Sequence, residues 1–245
     1  MPVARAGKVF VLAVALVLGV GTGCSDLLSS DGDPAGTPDT PVTSTAVVNP
    51  KACLPDSCPQ LPTPAQQFDG SGVTADNADT TVSPYLVSLL DDLDDAWGGW
   101  FVELDWGDPS TGRALIEPGT TFRTDCTDGD ATIGAVSSDM KNAFFCGVDS
   151  QPNGQGAITE GTVILPVETF VGIWRGDVFG ASVPSAVVGD FTAATVVAHE
   201  YGHNVVFRIA RALGIPDSSY PQGNNRELIA DCFAGNWAAT VFHRD

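Results

Sequence analysis

Ala198-His199-Glu200-Tyr201-Gly202-His203-Asn204 is the stretch around which the rest of the chain is organised. It contains His-Glu-x-x-His, with two of the chain's three histidines. On a helix, positions four apart lie one turn apart on one face, so His199 and His203 can hold one ion between two imidazole nitrogens. Glu200 points about 100° further round, beside the ion, where it suits a general base acting on metal-activated water. At average composition these three residues arise at this spacing by chance in less than about one chain in a hundred.

The flanks frame a helix. Asp190 is a good N-cap, Gly214 a good residue just past the end, and Pro216 a stop beyond it. Between them Phe191, Val196, Val197, Val205, Val206, Phe207 and Ile209 leave the helix apolar nearly all round, the pattern of a buried element. Polar groups inside such a helix need partners, which favours a metal over two unpaired histidines. Gly202 costs about 1 kcal/mol against alanine in mid-helix, so it is expected to admit the close approach of another element.

That element is expected to be the last stretch, a helix capped by Asn224 or Asn225, with Leu228, Ile229, Phe233 and Trp237 at helical spacing. Glu227 and Asp231 lie one turn apart on it, on a face continued by the small Ala234 and Ala238. Glu227 reads as the third protein ligand and Asp231 as the acceptor that orients a ligand histidine, His199 foremost. Two histidines and one carboxylate leave a fourth position open, as in catalytic rather than structural zinc sites.

His199-Glu200-x-x-His203 together with Glu227-x-x-x-Asp231 resembles the gluzincin metallopeptidases. Ala198 to His203 with Glu227 to Gly235 is similar, more narrowly, to the neutral zinc metallopeptidases of bacteria, over roughly 83–245. The resemblance takes in Phe144-Phe145-Cys146 and Thr162-Val163-Ile164-Leu165-Pro166. It implies a zincin-like α+β domain, a small sheet packed against the buried motif helix and the C-terminal Glu-bearing helix. It also implies one Zn²⁺ per chain on His199, His203 and Glu227, with Glu200 as base, and a peptide or protein substrate. In gluzincin-like sites the strand before the motif helix offers its edge to an extended peptide, which makes Thr162 to Leu165 the candidate here. Such domains usually continue past the last helix. The residue that stabilises the oxyanion is therefore left open among His243, Tyr201 and Tyr220, or is missing.

The N-terminus reads as a targeting segment. Arg5 and Lys8 precede an apolar run from Val9 to Val20, too short to span a bilayer and suited to a signal peptide over 1–23. Gly23-Cys24 resembles a lipobox, in which Cys24 takes the lipid, although Gly21 stands where a leucine-like residue is usual. The expected location is the outer face of the bacterial cell membrane, held by that anchor, with plain secretion as the alternative. Residues 24–71, rich in Ser, Thr, Asp, Pro and Gly, are expected to form a flexible tether holding a local Cys53–Cys58 disulfide. The zinc domain then spans 72–245. In it Ser83 and Pro84 open a helix ended by Gly98-Gly99, whose Asp91, Asp92, Asp94 and Asp95 read as a solvated face rather than a calcium loop. Strands are expected at Trp100 to Leu104, Ala114 to Ile116, Thr120 to Arg123, Asn142 to Val148 and Gly161 to Pro166, and a short helix at Val167 to Trp174. Cys126 and Cys146 are expected to pair, leaving Cys232 as an inert core thiol.

Charge excludes some functions. Without Arg5 and Lys8, nine basic residues face thirty acidic ones, a net charge of −21. Such a surface repels nucleic acid and anionic lipid, and no phosphate-binding glycine loop argues otherwise. No Gly-x-Ser-x-Gly is present, and the only histidine outside the motif is His243, so a serine or cysteine hydrolase is disfavoured. The competing reading is a catalytically silent envelope lipoprotein that binds a partner through the same fold. An intact Glu200 speaks against it.

Overall fold

The computed structural model describes residues 58–128, 131–184 and 188–244. The architecture is mixed α+β. It comprises α1 (Ala78–Glu103), β1 (Gly112–Ile116), β2 (Thr121–Asp128), β3 (Ala131–Ser137), β4 (Phe144–Pro152), β5 (Ile158–Pro166), α2 (Val167–Trp174), the two-residue strands β6 (Asp177–Val178) and β7 (Ala181–Ser182), α3 (Asp190–Leu213) and α4 (Asn224–Phe242). The expected N-terminal features, with Cys24 and Cys53, lie outside the described residues.

α1 is longer than its sequence signals suggested. It begins after Asn77 rather than at Ser83, so Pro84 lies inside it. Pro84 is exposed, which leaves the carbonyl that lost its helical donor open to water. Gly98-Gly99 does not end the helix. Gly99 instead gives room to the chain preceding α1, because a Cβ there would stand 3.0 Å from Pro62. Trp100 and Phe101 therefore continue the helix instead of starting a strand. Phe101 is fully buried and stacks edge-on with Trp100 and Trp106. Asp91 and Asp95 are exposed, as a solvated face requires, but Asp92 and Asp94 are not. Asp94 is buried against Arg113, and Asp92 receives Arg244 and the Trp237 indole N–H.

The segment 58–71 is not a free tether. Pro59 accepts the Trp100 indole N–H at 2.9 Å, Phe68 stacks edge-on against Trp237 on α4, and the Ser71 N–H donates to Asp190 at 2.7 Å. The folded unit thus starts earlier than residue 72. Cys58 and Cys232 are both disulfide-bonded, which corrects the reading of Cys232 as a free thiol. Cys126 and Cys146 are paired as expected, tying the β2–β3 ribbon to β4.

The main sheet has the order β1-β5-β4, with β1 parallel and β4 antiparallel to β5. The last six residues of β5 are all buried, as a strand flanked on both sides requires. Thr162 to Leu165 is therefore the centre of the sheet, not its edge: Val163 pairs with Arg113 on one side and Phe145 on the other. The outer strand next to α3 is β4. α3 lies between α1, the β4–β5 face of the sheet and α4, and its core-facing side buries Ala193, Val197, Tyr201 and Val205. At its start Phe191 departs from the all-round burial and is 65% exposed.

Candidate metal centre

Local sequence sets the two helices that meet here. α3 ends where Gly214 takes the left-handed conformation (φ 65°), one turn beyond its last buried residues, Ile209 and Ala210. α4 starts after Gly223 (φ 56°) and runs back along α3. Their closest approach is at Gly202. A Cβ built there would stand 2.6 Å from the Ala230 carbonyl oxygen and 3.0 Å from its Cα. Only glycine lets the two backbones come so near. Ala230 lies between Glu227, three residues before, and Asp231, so the contact at Gly202 sets both carboxylates over the two histidines.

The donors converge. Glu227 Oε2 lies 3.2 Å from His199 Nε2 and 3.4 Å from His203 Nε2. Metal-donor bonds of about 2.0–2.2 Å in a tetrahedral zinc site place neighbouring donors about 3.4 Å apart, so both edges match. The three donor atoms all lie within 4.8 Å of one another. The two imidazoles stand nearly perpendicular, with centroids 4.8 Å apart. Asp231 Oδ1 meets His199 Nδ1 at 2.7 Å, which leaves Nε2 facing the cluster.

Glu200 is buried and accepts the Phe145 N–H from β4 at 3.0 Å. Burial pushes its carboxyl above the ordinary range, against the attraction of His203 and His199. Burial alone would lower His199. Its hydrogen bond to Glu227, the Glu200 charge and Asp231 outweigh this and raise it to about 9. The hydrogen bonds from His199 and His203 hold Glu227 well below the usual carboxylate range. The cluster therefore holds a proton on His199 where a divalent cation would otherwise balance the carboxylates, and a metal must displace that proton.

The structure thus brings together all five residues singled out in the sequence: His199, Glu200, His203, Glu227 and Asp231. Two of the three oxyanion candidates lie elsewhere. Tyr201 points away from the donors, into the core, and gives its hydroxyl proton to Asp94. The Tyr220 hydroxyl is buried and makes no hydrogen bond among the described residues. His243 follows the end of α4, about 18 Å along the helix from Asp231. The Phe145 N–H was not foreseen. A backbone donor has no residue type to betray it. Leu228, expected on the buried face of α4, is half exposed, because that face is turned toward Ile229, Phe233 and Trp237.

Of the donors Glu227 is exposed, His199 half-buried and His203 buried, and none of them lines a cavity of about 520 Å³ bordered by Phe68, Tyr85, Asp91 and Asp95 among others. Among the described residues no helix is long and apolar enough to cross a membrane. Compared with protein-family models, with curated proteins and with solved structures, the chain matches none.

Proposed function

We propose that the protein is a zinc-dependent peptidase with a zincin-like fold, in which His199, His203 and Glu227 hold one Zn²⁺. The observation that carries this reading is the pair of 3.2 and 3.4 Å donor edges beside a buried carboxylate, Glu200, that is not one of the three donors. A ligand set for a structural zinc has no need of that carboxylate. When bound, zinc supplies Lewis acidity, which polarises a peptide carbonyl and makes water a nucleophile at neutral pH.

The chain's own groups supply the rest. Glu200 takes a proton from the attacking water and delivers it to the leaving amine. Its raised pKa brings the carboxyl nearer neutrality, where it can both accept and release a proton. The Phe145 N–H engages Oε2 and so orients the carboxylate. Asp231 keeps His199 in the tautomer that offers Nε2. With both sides of β5 occupied, an extended peptide would add to the outer edge of β4, which carries Phe145. Export and lipid attachment through Cys24 complete the proposal and place the substrate, a peptide or protein, outside the cell.

The test is the Glu200→Gln variant, with zinc content and hydrolysis of a pooled quenched-peptide library measured together. The proposal expects full zinc and a loss of at least about a hundredfold in turnover. Turnover at the wild-type level would remove Glu200 from the mechanism.

A further inference from the structure

α3 carries polar groups on two opposite faces, and only the front one belongs to the metal cluster. At about 100° per residue, Tyr201, Asn204 and Arg208 lie roughly 140–200° round the helix from His199. Tyr201 and Asn204 are completely buried. Tyr201 donates its hydroxyl proton to Asp94 Oδ1 at 2.6 Å, and the Asn204 side-chain amide donates to the Pro109 carbonyl at 2.7 Å. Arg208 Nη2 donates to the Ser110 carbonyl at 2.9 Å and to Thr159 Oγ1 at 2.8 Å, while its Nε donates to Asn204 Oδ1 at 3.2 Å.

The groups that receive these bonds are themselves held. Asp94 also accepts Arg113 Nη2 at 2.6 Å. Ser110 is fixed by Asp108, which accepts both its N–H and its hydroxyl at 2.8 Å, and by the Asn153 amide at 2.8 Å. The rear of α3 is thus bolted to α1, β1, β5 and the turn between α1 and β1. Burying so many charged and polar groups carries a desolvation cost, and an apolar stripe of the same volume would hold the helix at least as firmly. What directional bonds add is a single rotation and a single axial position. His199 Nε2 and His203 Nε2 lie roughly 6 Å from the helix axis, so a rotation of about 10° carries them about 1 Å, too far for donor edges of 3.2 and 3.4 Å.

We infer that Tyr201, Asn204 and Arg208 are positioning residues that set the rotation and axial position of α3 and thereby the geometry of the His199–His203–Glu227 cluster. The signature of the site then extends from His-Glu-x-x-His to His199-Glu200-Tyr201-x-His203-Asn204-x-x-x-Arg208. The inference rests on the front face being a metal site.

The test uses Co²⁺ as the probe, with the wild-type chain and the variants Tyr201→Phe, Arg208→Lys and Val205→Ala. Tyr201→Phe keeps the ring and removes one hydroxyl. Arg208→Lys keeps the charge but loses the fork of donors. Val205→Ala is the control, a fully buried apolar truncation on the same helix that touches no rear bond. The measurements are the Co²⁺ dissociation constant, the visible d–d absorption of the bound ion and the thermal midpoint. Tyr201→Phe and Arg208→Lys are expected to weaken Co²⁺ about tenfold and to change the shape of the band, while Val205→Ala lowers the midpoint but leaves band and affinity at wild-type values. If all three variants lower the midpoint and none moves the Co²⁺ band or affinity, the rear stripe only stabilises the fold and the inference is overturned. If the wild-type chain itself binds no Co²⁺, the metal site falls first, and the inference with it.

Discussion

Replacing Gly202 by alanine tests the approach of α4 to α3 most sharply. The new methyl group would meet backbone: the Ala230 carbonyl oxygen at 2.6 Å, its Cα at 3.0 Å and its carbonyl carbon at 3.1 Å. No side-chain rotamer relieves those contacts, so α4 must retreat by roughly 0.8 Å to reach ordinary van der Waals distance. Alanine gains about 1 kcal/mol of helix propensity, and overpacking costs about 1–3 kcal/mol. The expected net is a destabilisation of about 1 kcal/mol, a fall of about 2–4 °C in the midpoint for a domain of this size. The larger effect is at the cluster. Glu227 Oε2 would move from 3.2 and 3.4 Å to about 4 Å from the two imidazoles, beyond the roughly 3.4 Å edge of a tetrahedral zinc site. Zinc affinity, read by competition with a chelator, should fall by at least about tenfold. Gly235→Ala serves as the control. Gly235 is exposed on α4 with nothing within 4 Å of a built Cβ, so this change should raise the midpoint and spare zinc. Refutation would be a Gly202→Ala protein with a raised midpoint and wild-type zinc affinity, since the helices would then not be in contact there.

Three further outcomes follow from the structure. In the metal-free protein the folded-state pKa of His199 is raised to about 9, so its ion pairs stabilise fully below its ordinary value of about 6.5 and are lost as pH climbs through 9. The thermal midpoint of the metal-free chain should therefore decline between about pH 6.5 and 9, and this decline should be missing in His199→Asn. Because zinc must displace the His199 proton, apparent zinc affinity should rise over that same interval, with proton release measurable by calorimetry in buffers of different ionisation enthalpy. Replacing Cys126 and Cys146 by serine removes a cross-link over a sequence separation of 20, which should cost about 3 kcal/mol and be read as a lower denaturant midpoint. An unchanged midpoint would mean that the β2–β3 ribbon is held by its other contacts alone.

The parts of the structure that repeat on a local period were legible in the sequence. α2 has the bounds its pattern suggested, and α3 ends at Gly214 as read. The i, i+4 spacings placed His199 with His203 and Glu227 with Asp231, and the unfavourable glycine at 202 announced a close neighbour that proved to be α4. What depends on distant partners was not legible. Asp94 looked solvated because Arg113 and Tyr201, which bury it, come from β1 and α3. Gly99 looked like a helix stop because its neighbour, Pro62, lies far back in the chain. β5 looked like an edge because strand order is decided by where β1 and β4 settle, not by anything in Thr162 to Leu165. β3 was missed altogether: Ala131 to Ser137 is mostly exposed or half-buried and pairs only with β2, so its pattern lacks a buried face. Glu200 was singled out from the motif, whereas the Phe145 N–H that holds it could be found only in three dimensions.

The most direct measurement is zinc per chain in the purified protein, wild type beside His199→Ala and Glu227→Ala, with folding of each checked by circular dichroism. One zinc is expected in the wild type and none in either variant, with all three folded. A folded wild-type chain that takes up no zinc, or variants that keep it, would contradict the site at its centre.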